Sequence, residues 1–136
     1  MNIRYCILAR RQTFSVEENI ASLIDIIEEL TFRGPGVPEN KMISAPFDGI
    51  FTALLDAEDE VERTQVYTAS YWIDTPKIVT QKQPVTVQFN GKPRTRLVIQ
   101  LKTFPLTESG IYSFCLQLDS LFCKWNVDVK IINEPS

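Results

Sequence analysis

Residues 94–132 alternate apolar and polar side chains in three successive runs. A period of two over that length dictates antiparallel strands with one dry face and one wet face. Leu97, Ile99 and Leu101 share one face in the first run, and Tyr112, Phe114, Leu116 and Leu118 in the second. Leu121, Cys123, Trp125, Val127, Val129 and Ile131 do so in the third. A turn at Asp119-Ser120 sets Leu118 opposite Leu121, Leu116 opposite Cys123, Phe114 opposite Trp125 and Tyr112 opposite Val127, all facing inward. Slipping the register by one residue would expose the whole set to water, so the pairing is strongly specified.

A chain of 136 residues is long enough for one domain, residues 1–136, with one contiguous core. With 14 basic and 17 acidic residues and a pI near 5.0, there is no global attraction to nucleic acid or to an anionic membrane. Cys6, Cys115 and Cys123 lie inside apolar or alternating runs, and we read them as buried reduced thiols of a cytoplasmic protein. In the hairpin register Cys115 points away from the core and Cys123 into it, so those two are not cross-strand partners. The opening segment has a short apolar stretch with Arg10-Arg11 behind it, which does not fit a signal peptide. No apolar run reaches membrane-spanning length, and no membrane partner is expected.

Residues 3–9 read as a first strand with Ile3, Tyr5 and Ile7 on one side and Cys6 and Leu8 on the other. In residues 19–32 the apolar positions Ile20, Leu23, Ile24, Ile27 and Leu30 keep helical spacing, and Ser15-Val16-Glu17-Glu18 has capping-box character. Isoleucine richness and a Gly34-Pro35-Gly36 breaker suit a bulged strand equally well, and on residues alone both readings stay open. Residues 47–55 form a strand, residues 56–62 an acidic turn, and residues 64–73 a strand without a polar face. Asn90-Gly91 predicts a hairpin between the run at residues 85–89 and the one that follows, giving a meander over residues 85–132.

The chain has no histidine, which excludes imidazole-based triads, histidine general acids and the common zinc sites. No catalytic residues and no cofactor are expected, and the chain does not read as an enzyme. Asp56, Glu58, Asp59, Glu60 and Glu62 are the candidate metal-binding set, because a hard cation takes six or more oxygens. They come from one run without glycine or asparagine, and a solvated turn explains them better. Lys92, Arg94, Arg96 and Lys102 line one strand and its turn and are the candidate ligand-binding set for phosphate groups. They lack interleaved aromatics for stacking, so an ordinary solubilising face is the simpler reading. Ile3, Tyr5, Ile7, Tyr67, Tyr71 and Trp72, on strands apolar on both sides, are the candidate interface set.

Glu108-Ser109-Gly110-Ile111-Tyr112 resembles the tyrosine corner of immunoglobulin-like sandwiches, with Phe114 where those domains often carry cysteine. The opening Ile3-Arg4-Tyr5-Cys6-Ile7-Leu8, the segment Asn19-Ile20-Ala21-Ser22-Leu23-Ile24-Asp25-Ile26-Ile27-Glu28-Glu29-Leu30 and the closing glycine-x-tyrosine strand together resemble a family of small bacterial proteins of unknown function. That resemblance implies an immunoglobulin-like sandwich and tips residues 20–32 towards strand, and it supplies no catalytic residues.

The expected fold is therefore all-β: an immunoglobulin-like antiparallel sandwich of about seven or eight strands, with a short helical turn near residues 15–20 left open. The expected function is a non-catalytic interaction or assembly module whose partner is a protein, first of all another copy of itself. A nucleic-acid or phosphoryl-ligand binder built on the basic strand is the first alternative, and nucleic acid is the less favoured partner. A carboxylate-dependent metal-binding module is the second.

Overall fold

The computed structural model describes residues 1–15 and 20–134. Its strands are β1 (Asn2–Ser15), β2 (Ile20–Ile26), β3 (Glu29–Gly34), β4 (Ile43–Asp56), β5 (Val66–Asp74), β6 (Gln83–Gln88), β7 (Arg94–Leu106), β8 (Gly110–Leu118) and β9 (Leu121–Asn133). One short helix, α1 (Glu60–Thr64), joins β4 to β5. The strands form a four-stranded sheet in the order β2-β1-β4-β7 and a five-stranded sheet in the order β3-β9-β8-β5-β6. All pairs are antiparallel except β3 with β9. The all-β expectation holds, with nine described strands where seven or eight were expected. The helical turn considered near residues 15–20 falls, at residues 16–19, outside the described residues.

The β8–β9 hairpin has the register read from the sequence: Leu118 pairs with Leu121, Leu116 with Cys123, Phe114 with Trp125 and Tyr112 with Val127. Tyr112, Phe114, Leu116, Leu118, Val127 and Val129 are fully buried. They meet Leu97, Ile99 and Leu101 of β7 and Phe51, Ala53 and Leu55 of β4 in one core. Phe104 sits at its centre, with ring centroids 5.2 Å from Phe32, 5.4 Å from Tyr112 and 5.7 Å from Phe114. Tilted aromatic contacts at such distances add to the gain from area burial, so this cluster ties β3, β7 and β8 together across the layers.

The ambiguous segment, residues 19–32, enters two strands in different sheets, β2 and β3. The chain changes layer at Ile27-Glu28, where Ile27 N–H donates to Leu8 O of the first sheet (2.8 Å) and Asp128 N–H donates to Glu28 O in the second (2.8 Å). The Trp125 indole N–H donates to Ile27 O (2.7 Å) and pins the crossing. A crossing strand pair shows no single periodicity, which explains the competing readings.

The meander over residues 85–132 is corrected. β6 pairs with β5, and β7 pairs with β4 in the other sheet, so only β8–β9 is a hairpin within that span. Asn90 and Gly91 do adopt the left-handed conformation expected of that dipeptide, with φ of 53° and 81°. They turn the chain from one layer to the other, held by a Gly91 N–H bond to Arg63 O (2.8 Å).

The tyrosine-corner expectation is met at atomic level. The Tyr112 hydroxyl donates to Glu108 O (2.7 Å) and accepts from Thr107 N–H (2.9 Å), closing the β7–β8 connection onto β8. Thr107 and Thr75, both buried polar residues, complete the network through their hydroxyls (3.2 Å).

Candidate interaction surface

Residues opposite one another in adjacent strands share a face. Register therefore assigns Tyr5 and Ile7 of β1, Ile50, Thr52 and Leu54 of β4, and Arg96, Val98 and Gln100 of β7 to the outer face of the four-stranded sheet. Ile24 and Ile26, opposite Arg11 and Ala9, extend it on β2. An outward sheet face normally turns polar. This one keeps isoleucine or valine on all four strands, with Ile26 47% and Val98 43% exposed. At one end a shallow groove of about 330 Å³ is lined by Arg10, Arg11, Gln12, Asp48, Gly49, Ile50, Val98 and Gln100.

Polar side chains frame the apolar strip. The Arg96 guanidinium donates to the Tyr5 hydroxyl (2.8 Å), spanning Leu54 between them in the same row. Thr52 Oγ1 donates to Leu97 O (2.9 Å), so a buried hydroxyl on β4 is satisfied. The Arg10 guanidinium stacks over Phe47 at 5.0 Å and donates to Asp48 O (3.1 Å), which orders the groove's far wall.

The candidate interface residues do not form one surface. Tyr5 and Ile7 lie on this outer face, whereas Ile3, beyond a register shift in β1, packs against the core. Tyr67 and Tyr71 share the inward face of β5 with Ala69 and Ile73 and pack half-buried at the core's margin. Trp72 faces outward on the other sheet, 6.0 Å from Phe122 and 4.4 Å from the Lys82 ammonium.

The candidate metal set is engaged otherwise. Asp56 accepts from Arg4 and Arg94, and the hydrogen bond from Arg4 is the main reason its carboxyl lies below the usual carboxylate range. Asp59 caps α1 by accepting from Glu62 N–H (2.9 Å). Glu62 accepts from the Met1 amine (2.9 Å) and from Glu58 N–H (2.8 Å), bonds that lower its pKa. Glu58 and Glu60 are exposed, and among the described residues no three acidic or cysteine side chains converge as metal ligands. Of the candidate ligand-binding cations, Arg94, Arg96 and Lys102 are exposed on β7, while Lys92 sits in the β6–β7 corner. Arg94 bonds the Asp56 carboxylate (2.9 Å), which Arg4 also holds, and Arg96 donates to Tyr5, so two cations of the row are already engaged by protein partners.

Sequence reasoning missed one constellation. Cys6 of β1 and Cys123 of β9, on the inner faces of opposite sheets, have their sulfurs 2.6 Å apart. The signal was present in part, since Cys6 alternates with inward Leu8 and Cys123 was placed inward, but nothing local shows that β1 lies over β9. The two sulfurs stand closer than non-bonded thiols pack; the neighbouring Cys6 thiol holds the Cys123 thiol down at about 7, and the pairing, with burial, pushes Cys6 up. Cys115, flanked by Trp72 and Lys124 in its row, faces outward and is raised mainly by burial.

Comparison of the chain with protein-family models, with curated proteins and with solved structures finds no match. No described helix is long and apolar enough to cross a membrane.

Proposed function

We propose that this chain is a non-catalytic interaction module, an immunoglobulin-like sandwich of the small bacterial kind its sequence resembles, that acts in the cytoplasm and associates with a second copy of itself. The observation that carries this reading is the outer face of the four-stranded sheet, apolar on every strand from Ile26 through Ile7 and Ile50 to Val98. A two-fold axis sets such a surface against itself, so it must be self-complementary. Its groove is lined by Arg11 and Asp48, opposite charges that a two-fold axis passing between them would set against each other across the interface. Ile26 and Val98 on the two edge strands, 47% and 43% exposed, supply association energy at about 25 cal/mol per Å² buried, whereas Ile50 is already covered in the single chain at 7%; the cost of lost rigid-body freedom is then subtracted.

Sedimentation velocity at micromolar concentration tests this. The wild type is expected to run as a dimer. The pair Ile26→Lys and Val98→Lys, at positions already exposed, should give a single-chain mass with an unchanged far-ultraviolet spectrum. Exchanging the charges, Arg11→Asp with Asp48→Arg, should preserve the dimer where either change alone weakens it. A wild type that stays monomeric throughout that range refutes self-association by this face.

A further inference from the structure

We propose that Cys6 and Cys123 form a redox site: a dithiol that closes to an intramolecular disulfide by exchange with a small-molecule disulfide such as oxidised glutathione, bolting the two sheets together. The backbone already places the pair. β1 packs directly over β9, both side chains point into the space between the layers, and the sulfurs stand 2.6 Å apart with no group between them. A disulfide needs about 2.05 Å, so closure requires an approach of only about half an ångström.

The two cysteines differ in the way stepwise exchange requires. Cys6 is 3% exposed, whereas Cys123 is half-buried, the more open of the two. Attack comes from the thiolate form, which the close approach of the Cys6 thiol favours at Cys123. The Cys123 thiolate attacks one sulfur of oxidised glutathione, the glutathione S–S bond breaks, and one glutathione leaves as thiolate. Cys6 Sγ then attacks Cys123 Sγ, the mixed disulfide breaks, and the second glutathione leaves, with the Cys6 proton passing to a departing thiolate. Two electrons move from the cysteine pair to the oxidant, giving one protein disulfide and two reduced glutathiones. Cys115 takes no part, because it faces the outside of the five-stranded sheet in the row of Trp72 and Lys124.

The bond would span 117 positions of sequence, and a cross-link closing so long a loop constrains the unfolded chain strongly. Oxidation is therefore expected to raise Tm by roughly 10 °C.

The test is to equilibrate the full chain with oxidised glutathione, quench, unfold it in an alkylating agent and map the peptides by mass spectrometry. One alkylated cysteine at position 115, a Cys6–Cys123 cross-linked peptide, and a Tm gain that reductant reverses are the expected results. Cys123→Ser should take up no bridge, Cys6→Ser should stop at a single glutathione on Cys123, and Cys115→Ser should behave as the wild type. Three alkylatable thiols after equilibration, a lasting glutathione adduct on Cys123 in the wild type, or a bridge through Cys115 would each overturn the proposal. The wild-type map decides the matter even if a serine variant fails to fold.

Discussion

Replacing Tyr112 with phenylalanine removes a single oxygen from the middle of the structure and leaves the ring packing intact. That oxygen accepts from Thr107 N–H at 2.9 Å and donates to Glu108 O at 2.7 Å. Tyr112 is 0% and Thr107 6% exposed, so water cannot freely take the oxygen's place. A buried donor left without a partner costs about 1–3 kcal/mol, and the lost bond to Glu108 O adds about 1 kcal/mol at most. A loss of about 2–3 kcal/mol is expected. With an unfolding entropy of about 2.1 cal/mol/K per residue, a chain of this length should lose about 7–10 °C in Tm. Urea unfolding followed by tryptophan fluorescence measures the change directly, and the midpoint should fall with the slope unchanged, since the exposed surface is the same. Tyr67→Phe is the control, because among the described residues its hydroxyl bonds only Gln65, at 3.2 Å in an exposed setting, and it should change stability by less than about 0.5 kcal/mol. Equal midpoints for Tyr112→Phe and wild type would refute the view that this hydroxyl closes the β7–β8 connection.

Trp125→Phe should cost about 1–2 kcal/mol by deleting the indole donor to Ile27 O, measured by the same urea titration. Phe114→Ala, which empties a fully buried site, should cost about 3–5 kcal/mol in that assay. Asp56→Asn tests the ion pairs with Arg4 and Arg94. A carboxyl depressed in the folded state contributes stability above its unfolded pKa and loses it as pH falls through the folded value, so the wild-type advantage over Asp56→Asn should shrink between pH 5 and about pH 2. Asp59→Ala should cost about 1 kcal/mol through loss of the α1 cap. Millimolar calcium should leave the wild-type Tm unchanged, because Asp56, Asp59 and Glu62 are already engaged.

What could be read from the sequence was whatever local pattern determines. The β8–β9 register followed from alternation alone, because only one alignment buries Tyr112, Phe114, Leu116 and Leu118 together. The Tyr112 bond followed from a short motif. Asn90-Gly91 shows the limit: the dipeptide set its own φ angles, but not which neighbours the flanking strands would find. Residues 19–32 were ambiguous for a related reason, since a chain that changes layer at Ile27 presents its apolar side to one sheet and then to the other. Tyr67, Tyr71 and Trp72 suggested an interface because residues 64–73 are apolar on both faces; the tyrosines turn to the core and Trp72 to the outside. The surface on the four-stranded sheet and the Cys6–Cys123 pair depend on which strands lie side by side or face to face, and no spacing within one strand encodes that.

Both lateral rims of the sandwich are laced. β2 becomes β3 after two residues, and β6 becomes β7 after five, so each edge strand of one layer continues into an edge strand of the other. Trading strands between molecules starts at edges. Here a molecule could lend one only by surrendering its successor from the opposite layer, breaking two ladders at once. Copies that associate as proposed would meet as intact bodies, and concentration would then control their assembly reversibly, without the slow entanglement that follows when partly unfolded chains exchange segments.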